Sequence, residues 1–196
     1  MSDSKKELME RIRQMDEDNA SRLLYLLDNN ILKHSERFSK VVEQRPDVLE
    51  CDVVRFQNNK EKWVAFVGLM DGHPYEIFTG LQDDEEGIVL PKLVTKGRII
   101  KATNPDGSHR YDFQFENKRG YKTTVEGLSE KFNKEYWNYA KLISGVLRYG
   151  MPLENVVRLV SSMQMESEDI NTWTVGVERA LKKYISSGTS DEGATS

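Results

Sequence analysis

The chain has 196 residues, of which 38% are hydrophobic and 31% are charged, and its formal net charge at pH 7 is −4. A chain of this length buries roughly 70% of its extended surface on folding, so we expect a core that needs neither disulfides nor metal ions. The acidic balance disfavours a nucleic-acid or anionic-membrane binder, because such proteins contact phosphates with an excess of basic residues.

The chain contains one cysteine, Cys51. An intrachain disulfide, a Cys-x-x-Cys redox pair and a cysteine-rich zinc site are therefore excluded. No apolar run approaches the roughly 20 residues that a transmembrane helix needs. The N-terminal stretch MSDSKKELMERIRQMDEDN is too charged for a signal peptide. We therefore expect a cytoplasmic protein that does not enter a membrane.

Residues 1–44 predict a helical lead-in. Ser4 and Glu7 have the spacing of a capping box, and apolar residues follow at helical spacing. Asp18 is placed to cap a second amphipathic helix. The dipeptide Arg45-Pro46 then favours extended backbone, because proline disfavours the helical conformation of the residue before it.

Residues 52–80 predict the central β-hairpin of the fold. The run WVAFVGLM at residues 63–70 is apolar at every position, which is typical of a strand that is buried on both faces. Asp71-Gly72 follows directly, and this pair tolerates the positive φ angles of a tight turn. The rest of the chain is expected to pack around this hairpin.

Further strands are predicted on both sides of the central hairpin. Residues 48–56 alternate like a strand, with a change of phase near Val53-Val54 for which a β-bulge is one explanation. Residues 96–103 and 110–117 flank the turn residues Asn-Pro-Asp-Gly-Ser and indicate a second hairpin. The return strand is predicted to be half-buried, with three aromatic residues on one face: Tyr111, Phe113 and Phe115.

Three amphipathic helices are predicted after the strands. Asn133 is placed to cap the first helix, and Gly150 can end it. Pro152 suits the first turn of the second helix. A third helix is predicted over about residues 170–185.

The order of the elements indicates an α+β fold. Antiparallel hairpins over about residues 48–125 are predicted to pack against a C-terminal helical layer. The chain then divides into the lead-in at 1–44, one domain at 45–185 and a tail at 186–196. The tail, SSGTSDEGATS, lacks the apolar content to fold and is expected to be disordered.

The isolated reactive residue types favour structural roles. Cys51 lies in a strand pattern with no histidine near it in sequence, so an inert core residue is favoured over a reactive thiol. His73 and His109 fall in hairpin turns and are expected to be solvated. The acidic run at 83–86 lacks the alternating ligand spacing of a calcium loop, so a solvated loop is favoured.

A short basic stretch after the aromatic strand is the one candidate contact for a phosphate, a nucleotide or a protein partner. Basic residues beside aromatic residues are typical of single-strand RNA platforms, but the signature fails after Arg119-Gly120-Tyr121. The aromatic residues of the strand are expected to face the core instead. The candidate contact residues are Lys118, Arg119, Tyr121 and Lys122.

No enzyme motif stands out in the chain. A Gly-x-Ser-x-Gly nucleophile elbow, a phosphate-binding Gly-x-x-x-x-Gly-Lys loop and a Gly-x-Gly-x-x-Gly fingerprint are all missing from the sequence. We therefore assign no catalytic, cofactor-binding or metal-binding residue.

Four long strings nevertheless resemble one known family. They are RPDVLECDVVRFQNNKEKWVAFVGLMDGHPYEIFTGL, LPKLVTKGRIIK, RYDFQFENKRGYKTTVEGLSEKFNKEYWNYAKLISGVLRYGMPLENVVRLV and INTWTVGVERALKKYI. Together they resemble the C-terminal region, with its TSCPD domain, of adenosylcobalamin (vitamin B12)-dependent class II ribonucleoside-diphosphate reductases. The similarity is close over about residues 45–185. The Thr-Ser-Cys-Pro-Asp string and the cysteine-rich tail of that family do not occur here.

The resemblance implies a role in deoxyribonucleotide synthesis without chemistry on this chain. In the family, a large α/β barrel binds substrate and cobalamin and carries the reactive cysteines. The resemblance therefore implies an accessory domain or subunit that docks on that catalytic barrel or organises its assembly, and it allows a homo-oligomer. No cofactor is expected on this chain. The alternative is an independent nucleotide- or small-molecule-binding regulatory module that uses the basic stretch.

Overall fold

The computed structural model describes residues 44–163 and 168–185. The predicted helical lead-in and the predicted disordered tail lie outside the described residues. Within the described part of the chain, no helix is long and apolar enough to span a bilayer.

The described residues form an α+β fold, as the sequence predicts. Six strands make one antiparallel sheet in the order β3-β2-β1-β4-β5-β6. The strands are β1 (Val48–Asn58), β2 (Glu61–Met70), β3 (His73–Leu81), β4 (Lys96–Thr103), β5 (His109–Glu116) and β6 (Lys122–Val125). The helices after them are α1 (Leu128–Lys131), α2 (Lys134–Arg148), α3 (Leu153–Ser162) and α4 (Glu168–Lys182).

The central hairpin forms as predicted. Strands β2 and β3 pair directly, and Asp71 and Gly72 at the turn have φ angles of 51° and 78°. These positive values are the backbone conformation that Asp-Gly tolerates. Side chains of both parities in β2 are buried, so each face of the strand meets its own core.

One core, which we call the helix-side core, lies between the sheet and helices α2, α3 and α4. The sheet contributes alternate residues, and the helices contribute their apolar stripes. Its buried members are Phe56, Trp63, Ala65, Val67, Ile77, Ala140, Ile143, Leu147, Val156, Val157, Val160, Trp173, Val177, Ala180 and Leu181.

The opposite face of the sheet holds a second core, which we call the inner core. It is filled mainly by the strands themselves, by the loop after β3 and by α1. Its buried members are Cys51, Val53, Val64, Phe66, Phe78, Ile88, Leu90, Val94, Ile99, Phe113, Phe115, Leu128 and Phe132.

The inner core exists because the sheet curls strongly. Three strands separate β3 from β5 in the sheet, so in a flat sheet they would lie roughly 19 Å apart at the usual spacing of about 4.8 Å. The ring centroids of Phe78 on β3 and Tyr111 on β5 are nevertheless only 5.2 Å apart, and those of Phe66 and Phe113 are 4.5 Å apart. The concave face is therefore closed over aromatic side chains.

The phase change in β1 arises because the strand contributes side chains to both cores, and not because of a bulge. Strand β1 pairs with β2 without interruption from Glu50 to Asn58. Cys51 and Val53 belong to the inner core, whereas Phe56 faces the helices. The register shift of the sheet lies elsewhere, in the β2–β3 pairing between Gly68 and Leu69.

The second hairpin and its aromatic face also form as predicted. Strands β4 and β5 pair, and Phe113 and Phe115 are buried in the inner core. The opposite face of β5 differs from the expected solvated face, since Asp112 is buried. Its Oδ1 accepts a hydrogen bond of 2.9 Å from the backbone N–H of Gly127, and Arg110 Nε lies 3.2 Å away. Asp112 thus anchors the chain where it enters α1.

The helix boundaries follow the predicted signals closely. Asn133 caps α2 by accepting a hydrogen bond of 2.9 Å from the backbone N–H of Glu135. Gly150, with φ of 79°, follows the end of α2. Pro152 is the N-cap residue of α3, one position before the predicted first turn. Helix α4 begins and ends slightly before its predicted limits.

Two helical glycines differ in the space around them and provide a matched test of packing. A Cβ atom at Gly176 of α4 would come within 2.1 Å of the Phe56 ring, whereas one at Gly145 of α2 would meet no atom within 4 Å. Gly176→Ala is expected to cost about 1–3 kcal/mol of unfolding free energy by overpacking. Gly145→Ala should instead gain about 0.5–1 kcal/mol from helix propensity. Urea unfolding measures both, and equal midpoints would contradict the close seating of α4 on β1.

A second prediction concerns Asp52, which links β1 to the segment after α4. Its Oδ2 accepts a hydrogen bond of 2.6 Å from the Tyr184 hydroxyl and lies 2.8 Å from Lys183 Nζ. Burial opposes ionisation, but the hydrogen bonds from Lys183 and Tyr184 outweigh it and lower the pKa of the Asp52 carboxyl. Its stabilising contribution is therefore complete above the unfolded pKa of about 3.9 and disappears as the pH falls through the folded value.

Asp52→Asn should accordingly destabilise the protein at pH 7 and flatten the loss of stability below about pH 4. Asp71→Asn, which removes the same charge at the exposed β2–β3 turn, is the control. Thermal unfolding across the acidic range measures both variants. An unchanged acid profile in Asp52→Asn would show that this contact does not contribute to acid sensitivity.

Candidate functional site

A cleft of about 490 Å³ opens at one end of the sheet. It lies where the β1–β2 turn, the end of β3, the loop after β3 and the α1–α2 junction meet. Its volume falls within the range of roughly 300–1,000 Å³ that is typical of small-ligand sites. The lining residues are Asn58, Asn59, Glu61, Trp63, Leu81, Glu86, Lys131, Phe132, Asn133 and Tyr136.

Aromatic side chains form the apolar part of the cleft. Trp63 packs edge-on against Tyr136, with ring centroids 4.7 Å apart. Phe132 fits because residue 80 is glycine, since a Cβ atom at Gly80 would lie 1.9 Å from the Phe132 ring. The cleft therefore depends on the close approach of the α1–α2 junction to β3.

The charged groups of the cleft are two carboxylates and one ammonium group. Glu61 is held in place because Trp63 Nε1 donates a hydrogen bond of 3.1 Å to its Oε2. Glu86 and Lys131 both have exposed side chains on the rim. The formal net charge of the cleft lining is therefore −1, because Glu61 and Glu86 are opposed by Lys131 alone. This charge favours cationic or neutral ligands over phosphates.

Asn58 is the most deeply buried polar residue in the lining, with 2% of its surface exposed. Its Oδ1 accepts a hydrogen bond from the Thr172 hydroxyl. Its Nδ2 has no hydrogen-bond partner among the described residues. The Nδ2 atom is not among the buried side-chain atoms that lack a partner in the described part of the chain, so solvent in the cleft reaches it and a ligand can do the same.

A buried ion pair lies at the opposite side of the curled sheet. Arg45 Nε and Nη2 donate hydrogen bonds of 2.8 and 2.6 Å to the two carboxylate oxygens of Glu76, which is 1% exposed. Burial disfavours the charged guanidinium, but the hydrogen bonds and the charge of Glu76 outweigh burial and raise the pKa of Arg45. Arg148 Nη2 lies 3.8 Å from Glu76 Oε2, and its guanidinium stacks on the Tyr75 ring.

The residues proposed from sequence to contact a phosphate or partner lie at the β5–β6 connection. All four side chains are exposed, and Asn117 Oδ1 orders the turn by accepting hydrogen bonds from the backbone N–H groups of Arg119 and Tyr121. The neighbouring aromatic residues do not form a stacking platform, because Phe113 and Phe115 face the inner core. A ligand for Lys118, Arg119, Tyr121 and Lys122 thus stays a prediction.

The other reactive residue types lie apart from the cleft, except for the end of the acidic run. Cys51 is buried, and burial together with the negative charges of Glu76 and Asp52 raises the pKa of its thiol well above the usual value. His73 and His109 are exposed at the starts of β3 and β5. Asp83 accepts hydrogen bonds from the backbone N–H groups of Glu85 and Glu86, which lower its pKa. Across residues 44–163 and 168–185, no group of side chains has a metal-binding arrangement.

The cleft itself was not apparent from the sequence. Its polar residues come from three separate segments of the chain, and none has the spacing of a known motif. Glu86 belongs to the acidic run and Asn133 is the predicted helix cap, and neither pattern indicated a ligand site. The one usable signal was the pair of asparagines, Asn58-Asn59, at a turn directly before the central hairpin.

The buried pair of Glu76 with Arg45 and the exposed pair of Glu50 with Arg98 together test how much burial changes the contribution of an ion pair to stability. Glu76→Gln would leave Arg45 buried without a counter-charge and is expected to cost about 3–5 kcal/mol of unfolding free energy. Glu50→Gln, which removes the exposed carboxylate 3.1 Å from Arg98 Nε, should cost less than about 1 kcal/mol. Chemical denaturation measures both.

The double variant Arg45→Met/Glu76→Met is the companion experiment. Because it removes both buried charges, it should be clearly more stable than Glu76→Gln. Two single variants of equal stability would show that the buried pair is not needed to hold β3 against the segment before β1.

Comparison with known proteins identifies the family of this chain. A model described as the NrdJ homologue C-terminal domain matches residues 49–186, which include nearly the whole sheet and all four described helices. No curated protein matches the chain, and no solved structure matches it either. The chain therefore belongs to the family of the NrdJ homologue C-terminal domain, which links it to ribonucleotide reductase.

Proposed function

We propose that this chain is an accessory C-terminal domain or subunit of a vitamin B12-dependent ribonucleotide reductase, and that it acts by docking or assembly. The observation that carries the proposal is the family match, which spans residues 49–186. In this proposal the partner is the catalytic barrel of the reductase. The chain contributes a scaffold and its surface, and the barrel performs the chemistry of deoxyribonucleotide synthesis.

The burial and the raised pKa of Cys51, the only cysteine, support the assignment of the chemistry to the barrel and not to this chain. A thiol that exchanges with a disulfide must be accessible and readily ionised. Cys51 is buried in the inner core, and its pKa is raised first by burial and then by Glu76 and Asp52. The thiol therefore stays protonated, and reductase chemistry through Cys51 is disfavoured.

The adenosylcobalamin of the parent enzyme does not fit the cleft. At about 490 Å³ the cleft suits a drug-sized ligand, and a corrin ring with its nucleotide tail is much larger. The cleft lining also contains neither histidine nor cysteine as an axial ligand. We accordingly assign the cobalamin to the catalytic barrel.

An exposed apolar strip on α2 supports docking. Leu142 in the helix and Tyr149 at its C-cap lie seven residues apart, which is about two helical turns, and are 70% and 69% exposed. Met151, directly after the helix, is also exposed. Large apolar side chains that recur on one exposed face are typical of protein-contact surfaces.

The proposal predicts that the cognate catalytic chain of the reductase binds this chain through α2. Leu142→Asp and Tyr149→Asp should each weaken binding at least about tenfold, since each places a charge in a desolvated contact. Val175→Asp is the control, because Val175 is 63% exposed on α4. Surface plasmon resonance measures affinity, and reductase turnover with and without the chain measures function.

The possible results separate three roles. Undetectable binding together with unchanged turnover would contradict the accessory role. Equally strong binding by all three variants would contradict the assignment of the contact to α2, but it would not contradict the accessory role. Saturable ATP binding by the free chain, lost in Arg119→Ala, would favour the alternative regulatory module. Self-association lost in Leu142→Asp would assign the α2 strip to a homo-oligomer.

A further inference from the structure

The charges of the cleft select against anions. Glu61 and Glu86 face the same space as Lys131, so a phosphate placed there would meet two carboxylates and one ammonium group. A nucleotide is therefore a poor ligand for this cleft. A cation is attracted to the net negative charge of the cleft instead.

The aromatic residues narrow the choice among cations. Trp63, Phe132 and Tyr136 line the same cleft as the carboxylates. A planar guanidinium can stack on an aromatic ring and donate hydrogen bonds to a carboxylate at the same time. Glu61 is oriented for such a contact, because Trp63 fixes its Oε2 and its Oε1 has no partner within the described part of the chain.

The amide donor of Asn58 can recognise a second feature of the ligand. A guanidinium has no acceptor, so it cannot accept a hydrogen bond from the Nδ2 atom of this residue. The ammonium group of Lys131 on the rim can also only donate hydrogen bonds, so a guanidinium cannot bond to it. Peptide carbonyl oxygens next to the cationic side chain would supply acceptors for both groups.

We propose that the cleft binds an arginine side chain within a peptide segment of a protein partner, with the guanidinium between Glu61 and Glu86 and flanking carbonyl oxygens on Asn58 and Lys131. This inference deepens the docking role and rests on it for the identity of the partner. The recognition itself depends only on the described residues of this chain. A test with the isolated chain therefore separates it from the proposed function.

The probe is the peptide acetyl-Gly-Gly-Arg-Gly-Gly-amide, titrated into the full chain and followed by NMR. Its citrulline counterpart has the same shape without the charge. The indole N–H of Trp63 should shift with the arginine peptide, whereas those of Trp137 and Trp173, which do not line the cleft, should not. The citrulline peptide should bind at least about fivefold more weakly.

Two glutamates of the same loop provide matched variants. Glu86 lines the cleft, whereas its neighbour Glu85 does not. Glu86→Gln should weaken binding of the arginine peptide about fivefold or more. Glu85→Gln should leave the affinity unchanged, and both variants should retain the wild-type spectrum outside the cleft because both side chains are exposed.

Several results would overturn the proposal. Equal affinity for the arginine and citrulline peptides would show that charge does not govern recognition. Equal loss in Glu85→Gln and Glu86→Gln would indicate nonspecific attraction to the acidic loop. Tighter binding of adenosine than of the arginine peptide would assign the cleft to a nucleoside. Failure of the reductase to bind, with the arginine peptide still bound, would contradict the docking role alone.

Discussion

The ion pair between Arg45 and Glu76 is the contact on which the curled sheet depends. It joins β3, at one edge of the sheet, to the segment that leads into β1, and the Arg45 guanidinium lies 5.3 Å from the centre of the Tyr111 ring on β5. Three parts of the concave face therefore meet at one buried charge pair. Gly68 makes room for it, because a Cβ atom there would come within 2.6 Å of Glu76 Cγ. Two buried charges are costly to desolvate, so removal of one partner costs more free energy of unfolding than the intact pair contributes.

The curl explains why the chain builds two cores from one sheet. Curling brings Phe66 on β2 against Phe113 on β5 and fills the concave face without a second sheet. The convex face is covered by α2, α3 and α4, with Trp173 fully buried against it. Strand β2 belongs to both cores, which is why its residues are apolar at both parities. The outer surface of the helices is then free to present apolar side chains such as Leu142.

The cleft and the α2 strip suit different kinds of contact. The strip consists of exposed apolar side chains, which are typical of the centre of a protein interface. The cleft is concave and polar, and it suits one inserted side chain. The family links the chain to ribonucleotide reductase, and the Cys51 thiol is buried in the inner core.

The sequence determined the local elements. The apolar run of β2 with its Asp-Gly turn, the aromatic alternation of β5 and the Asn133 cap all follow from short-range rules, so their positions could be predicted closely. The core role of Phe113 and Phe115 was likewise predictable, because a strand with one aromatic face buries that face. The link to ribonucleotide reductase also came from the sequence, through long strings rather than a catalytic motif.

Only the tertiary structure decided how these elements meet. The phase change in β1 suggested a bulge, but its cause is the curl, which buries Val53 on one face and Phe56 on the other. Asp112 looked like a solvated position in an alternating strand, but it is buried and accepts a hydrogen bond from the backbone N–H of Gly127, which is distant in sequence. The cleft joins Asn58 to Glu86 and Lys131 across three segments. Such pairings depend on sheet curvature and helix seating, which are set by the sum of many packing contacts and leave no periodic signal in the chain.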